Sequence, residues 1–210
     1  MVQTRLLETA IDQFGRHGFD GASTREIARV SNTAMSSITY HFGGKGELYL
    51  AAADHIAACI RERQAAPYAA MRAALESEDG IAPKEAVEQI LLILDGFAQV
   101  MLHPESEGWA RFIVREQQQP TEAFERLYKG AMRFMVEAMS ALLAIARADL
   151  DPPERRALTV MLVGQALIMR TARAAVCRIL EATDIGESEA KLLRDQLRAT
   201  ARCALTRGKE

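Results

Sequence analysis

Apolar side chains recur three and four positions apart along most of this 210-residue chain, and no run of β-branched residues alternates strictly with polar ones. That period puts one apolar stripe on each of a series of helices, so the expected fold class is all-α. Leu7, Ala10, Ile11 and Phe14 form the first stripe. Gly15 and Gly18 end that helix, with Gly18 the better left-handed cap. Phe19 is expected to tuck under the helix end, and Asp20-Gly21 to turn the chain. Ser23, with Glu26 three residues later, spells a capping box for a second short helix through Thr24, Ile27 and Ala28. Ser31-Asn32-Thr33 then interrupts it before another short stretch, Ala34 to Tyr40. Two short helices across a three-residue turn are the sequence mark of a helix-turn-helix. Asn32 suits a turn position that needs positive φ, and the hydroxyl of Thr33 there needs a partner.

After the break at residues 41–44, Lys45 through Gln64 reads as one helix long enough to link two domains. Pro67 kinks or ends it, although Tyr68 to Leu75 stays helical in pattern. A loop at residues 77–82 leads to Pro83, a first-turn residue for a helix carrying Val87, Ile90, Leu91, Leu94 and Phe97. His103 to Gly108 reads as a break and Trp109 to Gln119 as a short helix stopped by Pro120. Thr121 caps a long helix to about Ala146, and Asp151-Pro152-Pro153 announces another from Glu154 to about Leu180. A last helix runs from Ser188 to about Thr206, with Leu192, Leu193, Gln196, Leu197 and Thr200 on one side. The expected architecture is about nine helices: a three-helix helix-turn-helix domain over residues 1–50 and a helical bundle over residues 51–210.

Composition excludes several classes. With 49% apolar residues the chain can bury a core. Its first residues carry scattered charges, so neither a signal peptide nor a membrane span is expected, and a soluble cytoplasmic protein follows. Cys59, Cys177 and Cys203 lie outside any C-x-x-C spacing and read as reduced packing residues. His55 and Cys59 stand one helical turn apart, but two ligands make a poor metal site, so packing is the simpler reading. The four histidines are dispersed, and no phosphate loop or activated nucleophile is present, so neither enzyme nor cofactor is expected.

Charge gives no strong nucleic-acid signal. Net charge is −2, and the first fifty residues hold five Arg/Lys (Arg5, Arg16, Arg25, Arg29, Lys45) against five acids. DNA affinity must therefore come from a few placed contacts on each of two subunits. In a helix-turn-helix the second helix presents its N-terminal side chains to base edges, while the first crosses the phosphates. Met35, Ser36, Ser37 and Thr39 are the groups that can reach bases, by hydroxyl contacts or by apolar packing on a thymine methyl. Thr24, Arg25, Tyr40, His41 and Lys45 are placed to grip phosphates. His41 can equally cap its neighbouring helix, and Arg29 can be a solvated charge. Ile27, Ala28, Ile38 and Phe42 read as core.

The stretch A-I-D-Q-F-G-R-H-G-F-D-G-A-S-T-R-E-I-A, followed by I-T-Y-H-F-G-G-K-G-E-L-Y, resembles the DNA-binding domain of TetR-type (TetR/AcrR-family) regulators. The run T-Y-H-F-G-G-K, with Arg111 to Glu116 and Pro120 to Phe124, is similar to the CecR-like branch. Against the family pattern, Asn32 replaces a turn glycine and Thr33 an apolar residue. Thr39 replaces a phosphate-binding tyrosine, so either Thr39 or Tyr40 can make that contact.

The resemblance implies a homodimer on a palindromic double-stranded DNA operator, and a small-molecule effector that releases it. The last two long helices carry Gly164, Ala166, Ala172, Ala174 and Ala175, which allow a close four-helix interface between copies. In the family, an effector cavity is surrounded by helices that here carry Phe97, Met101, Trp109, Phe112, Phe124, Tyr128, Met132 and Met135, with Arg111, Arg115, Glu116, Asp95 and His103 as candidate polar anchors. Each of the apolar residues is also an ordinary core residue on its own, and surface ion pairs explain the polar ones equally well. The expected switch is a tilt of the linking helix that moves the recognition helices out of register with DNA. The competing expectation is a protein that keeps the fold, binds an effector or acts as a scaffold, and no longer recognises DNA.

Overall fold

Gly18 is where the first helix gives way. The computed structural model describes residues 2–76 and 80–206, and all regular structure among them is helical. Helix α1 (Val2–Gly21) buries Leu6, Leu7, Ala10, Ile11 and Phe14, the expected stripe plus one residue. At Gly18 the backbone takes φ 74 and ψ 178. The positive φ is as expected, but this is the region open essentially to glycine alone rather than the left-handed helical cap. Beyond it, Asp20 and Gly21 make one more helical turn instead of a β-turn, with the Ala22 N–H donating to the Gly18 carbonyl at 3.2 Å. Phe19 stays 40% exposed.

Helices α2 (Thr24–Val30) and α3 (Met35–Phe42) flank a turn in which Asn32 has φ 50, as the sequence predicts. The Thr33 hydroxyl finds its partner in the buried Ser31 hydroxyl at 3.0 Å, and Ser31 also donates to the Ile27 carbonyl at 2.7 Å. The expected Ser23–Glu26 capping box is absent: Ser23 makes no side-chain cap bond. Glu26 instead takes two bonds from Arg29, at 2.8 and 2.6 Å, because a charge-assisted pair outcompetes a neutral backbone donor. A true capping box occurs at the start of α10 (Pro152–Thr171), where Asp151 and Glu154 bond each other's backbone N–H, both at 2.8 Å.

Helix α4 (Lys45–Arg63) stops at Gln64, and α5 (Ala65–Leu75) starts afresh with Pro67 in its first turn, where a missing N–H costs nothing. Of the expected loop at 77–82, Ser77, Glu78 and Asp79 lie outside the described residues. Pro83 opens α6 (Pro83–Leu102) as expected. Helix α7 (Ser106–Gln118) begins earlier than predicted, which shortens the 103–108 break. Thr121 caps α8 (Glu122–Leu127), its hydroxyl accepting from the Ala123 N–H at 3.1 Å. A π-helical turn, Tyr128–Met132, separates α8 from α9 (Arg133–Ala146). The helix predicted over 154–180 is in fact α10 and α11 (Arg173–Ile179), bent by 88° at Ala172. Together with the split at Gln64 and the π turn, this bend is why the described residues contain more than nine helical segments. Helix α12 (Glu187–Thr206) is the last element among the described residues.

The chain divides into two compact units, residues up to Arg61 with Pro104–Met132, and Glu62–His103 with the residues from Arg133 onward. In the first, α1 packs on α2 and on α7. Its core joins Leu6, Phe14, Ile27, Ile38, Leu48 and Ile56 to Phe112, Ile113 and Leu127, which come from a separate, later stretch of the chain. Each such fully buried side chain contributes about 1.5–3 kcal/mol relative to an exposed one. Gly130 lets the π turn approach α4 closely: a Cβ there would stand 2.6 Å from that of Ala57. The Gly130 carbonyl also accepts from Arg61 at 3.1 Å.

In the second unit α6 is central, burying Val87, Ile90, Leu91, Ile93, Leu94, Phe97 and Val100 while Leu92 and Gln99 stay exposed. Helices α5, α9, α10 and α12 pack around it. Arg194 of α12 grips Asp95 of α6 through two bonds at 2.7 and 2.5 Å. Buried Arg170 donates to the carbonyls of Met101 and His103, satisfying the end of α6.

Candidate nucleic-acid interface

The turn at Asn32 sets the face that α3 presents. Ile38 is buried and Phe42 half-buried against the α1–α2–α4 core. The opposite face carries Met35 (56% exposed), Ser36, Thr39 and Tyr40 (85% exposed), with Ser37 at its margin. Thr24 and Arg25 lie accessible in the first turn of α2 and His41 in the last turn of α3, its ring edge-on to Tyr40 at 5.0 Å. Lys45 is half-buried at the start of α4, its ammonium 3.3 Å from the Asp20 carbonyl and 4.9 Å over the Phe19 ring. All nine residues singled out as DNA contacts are therefore solvent-accessible, in the turn-flanking helices and the first residue of α4. Arg29, also exposed, is paired with Glu26.

The fixing of α4 was not foreseen from the sequence. Tyr49 of α4 donates its hydroxyl to Glu116 of α7 at 2.5 Å, deep in the first unit. The second Glu116 oxygen accepts from the Thr121 N–H (3.1 Å), the Thr121 hydroxyl (2.8 Å) and the Phe124 N–H (3.0 Å). One carboxylate thus caps α8 and anchors α4. Burial foremost, and then the bond to Glu116 with its charge, raise the Tyr49 pKa well above its ordinary value. Asp12 of α1 receives bonds from Arg16 and from Arg111 of α7, the latter at 2.8 Å. Burial pushes its carboxyl up, but the bonds and charges of Arg16 and Arg111 outweigh this and hold it below the usual range. The signal for Glu116 was the bare N–H groups that Pro120-Thr121 must leave at the start of a helix, although the sequence could not point to Tyr49.

The eight residues named for an effector do not share one unit. Phe97 and Met101 are buried in the second unit. Trp109, Phe112, Arg115, Phe124, Tyr128 and Met132 belong to the first, where Phe112 is fully buried core and Trp109 and Met132 pack against it. Met135, also named for that cavity, is buried in α9. Phe124 and Tyr128 stack at 6.2 Å. Arg115 lines an open cavity of about 460 Å³ in the first unit, together with Gly18, Tyr49, Glu116, Thr121 and their neighbours. Of the other effector-set residues, none lines it.

On the second unit, Val160, Met161 and Ile168 of α10 are 63%, 63% and 53% exposed, with Leu192 of α12 also bare. Gly164 lies on this face with open space at its Cβ position. Ala166, expected to serve contact between copies, is fully buried within its own unit.

A family model described as the C-terminal domain of the HTH-type transcriptional dual regulator CecR matches residues 86–206, and the model for bacterial regulatory proteins of the tetR family matches residues 6–52. The chain belongs to the TetR family. It is a DNA-binding transcriptional regulator with a CecR-type C-terminal domain rather than an enzyme. It is 29% identical over 191 residues to the dual regulator CecR of Shigella flexneri, covering 90% of this chain and 84% of that protein. It is 44% identical over 62 residues to the regulatory protein RaaS of Mycobacterium tuberculosis, covering 30% of this chain and 29% of that one. The fold matches a TetR-like regulator from Rhodococcus sp. RHA1 at a TM-score of 0.69 and 21% identity, over 99% of this chain and 97% of that one. It also matches AibR, solved with isovaleryl coenzyme A and operator DNA, at 0.69 and 14% identity over 95% and 97% of the two chains. No single helix among the described residues is long and apolar enough to cross a membrane.

Proposed function

We propose that this TetR-family protein is a cytoplasmic homodimeric repressor that holds a near-palindromic operator through α3 and leaves it when a small molecule binds. The observation that carries the reading is the exposed face of α3, set off by the positive-φ turn at Asn32 and bordered by Thr24, Arg25, His41 and Lys45. In this assignment Met35, Ser36, Ser37 and Thr39 meet base edges, and Thr24, Arg25, Tyr40, His41 and Lys45 meet phosphates.

Residues 1–50 are assigned to DNA reading, and residues 51–210 to dimerisation and effector binding. The bare apolar face of α10, with Leu192 of α12, supports pairing of two copies there, because monomers seldom expose such a face. Pairing sets two recognition helices about 34–36 Å apart, one groove repeat. That the same fold holds both isovaleryl coenzyme A and operator DNA in AibR supports a ligand-controlled operator complex here. The candidate effector contacts are Trp109, Phe112, Arg115, Phe124, Tyr128 and Met132 in the first unit and, separately, Phe97 and Met101 in the second.

The test is a titration of genomic fragments selected by the purified protein, with and without a small-molecule library. Selective, dimer-dependent binding relieved by some compound is expected. Absence of any selected fragment at low salt would favour a protein of this fold that no longer reads DNA.

A further inference from the structure

The chemistry missing from α3 is as informative as what it carries. Its sequence, Met-Ser-Ser-Ile-Thr-Tyr-His-Phe, contains no Arg, Lys, Asn, Gln, Asp or Glu. Guanine is specified in the major groove by bidentate Arg or Lys, adenine by bidentate Asn or Gln, and cytosine by a carboxylate. None of these can come from α3. Hydroxyls such as those of Ser36 and Thr39 bond to several bases and discriminate weakly. His41 sits in the last turn, away from the end that enters the groove.

Of the nearby cations, Arg25 and Lys45 border this face from α2 and α4 and are assigned to phosphates. The Arg29 guanidinium is closed by Glu26 in two bonds, and Arg5 is directed to the Asn32 carbonyl at 3.4 Å. What α3 does offer at its entering end is an apolar, flexible group: Met35, the first residue of the helix, 56% exposed with no core to fill. A thioether side chain there can be buried on DNA only against an apolar surface, and the one such surface on a major-groove edge is the thymine 5-methyl.

We propose that α3 reads thymine methyl groups, with Met35 as the specificity-determining contact, so that each operator half-site carries an A·T pair with its thymine methyl opposite the start of α3. This deepens the DNA-binding reading and rests on it. Bases elsewhere in the half-site are then distinguished by hydroxyl bonds and by DNA shape.

The experiment begins with selection from a randomised duplex library by the full-length protein. The selected duplex is then resynthesised with uracil replacing individual thymines, which removes the methyl and leaves the Watson–Crick edge intact. Affinity is expected to fall about four-fold per contacted methyl, the effect of one buried methyl-sized group. Met35→Ala is expected to bind thymine and uracil duplexes alike at the contacted position. Equal binding of both duplexes by the unaltered protein would overturn the proposal, as would an unchanged thymine-to-uracil ratio in Met35→Ala. Failure to enrich any duplex would instead overturn the DNA-binding reading beneath it.

Discussion

The Tyr49 hydroxyl and the Glu116 carboxylate meet at 2.5 Å across 67 residues of sequence, joining the helix after the recognition helix to α7. Because the other Glu116 oxygen serves three further donors, truncation would leave the buried Tyr49 hydroxyl and three part-buried donors without their shared acceptor. Glu116→Ala is expected to cost about 3 kcal/mol or more of unfolding free energy, and Tyr49→Phe about 2 kcal/mol, since a bond to a charged group is lost while only one donor goes. Denaturant unfolding of both variants measures this; Glu116→Ala at full stability would contradict the role.

Gly130 and Ala57 give a second, purely steric expectation. A methyl added at Gly130 has 2.6 Å where van der Waals contact needs well over 3 Å, so Gly130→Ala is expected to lose about 1–3 kcal/mol. Pairing it with Ala57→Gly should recover much of that loss. Melting temperatures of the single and double variants decide the matter, with equal values for both arguing against a steric cause.

Acid should weaken the second unit through Asp95. Burial raises its pKa, but the Arg194 and Gln99 bonds and the Arg194 charge more than compensate, leaving the folded value below the ordinary one. A lowered folded pKa contributes stability that is complete above the unfolded value, near 3.9, and is lost as pH falls through the folded value. The melting temperature of the unaltered protein should therefore drop on going below about pH 4. Asp95→Asn should start lower at neutral pH and show a shallower acid decline; parallel curves would exclude Asp95 as a source.

Salt sensitivity of DNA binding should be modest. With Arg25 and Lys45 as the cations facing phosphates on each of two subunits, log affinity against log salt should slope at about −4. Arg25→Ala should reduce this to about −2. A slope near −10 measured on a selected duplex would mean that many more cations reach the backbone.

The exposed α10 face predicts the assembly state. Met161→Glu places a charge among Val160, Ile168 and the open Gly164, and should convert a dimer to monomer by sedimentation equilibrium while leaving helicity intact. A variant that sediments as the unaltered protein does would place the interface elsewhere.

What the sequence disclosed was local. Asn32 announced its positive φ, Pro83 and Thr121 their helix starts, and the 3–4 spacing of Leu7, Ala10, Ile11 and Phe14 its buried side, because each signal acts within a turn or two. The bend at Ala172 has no such signal: alanine is the best helix former, and the break lies in a run without Gly or Pro. The capping box at Ser23 was a real local option that lost to the Glu26–Arg29 pair. Among the site residues, exposure of the α3 face followed from periodicity, whereas the partition of the effector set between units, and the reach of Glu116 to Tyr49, depend on contacts between distant segments.

The first unit is built from two separate stretches of chain, with Phe112, Ile113 and Leu127 filling the same interior as Phe14 and Ile38. During synthesis, the DNA-reading helices emerge long before the side chains that complete their interior, so they reach their final stability only after residue 132 has left the ribosome. For protein engineers the transplantable module follows the same line. A graft of the reading head onto another regulator should carry residues 104–132 with it, or its helices will arrive with an unfilled floor.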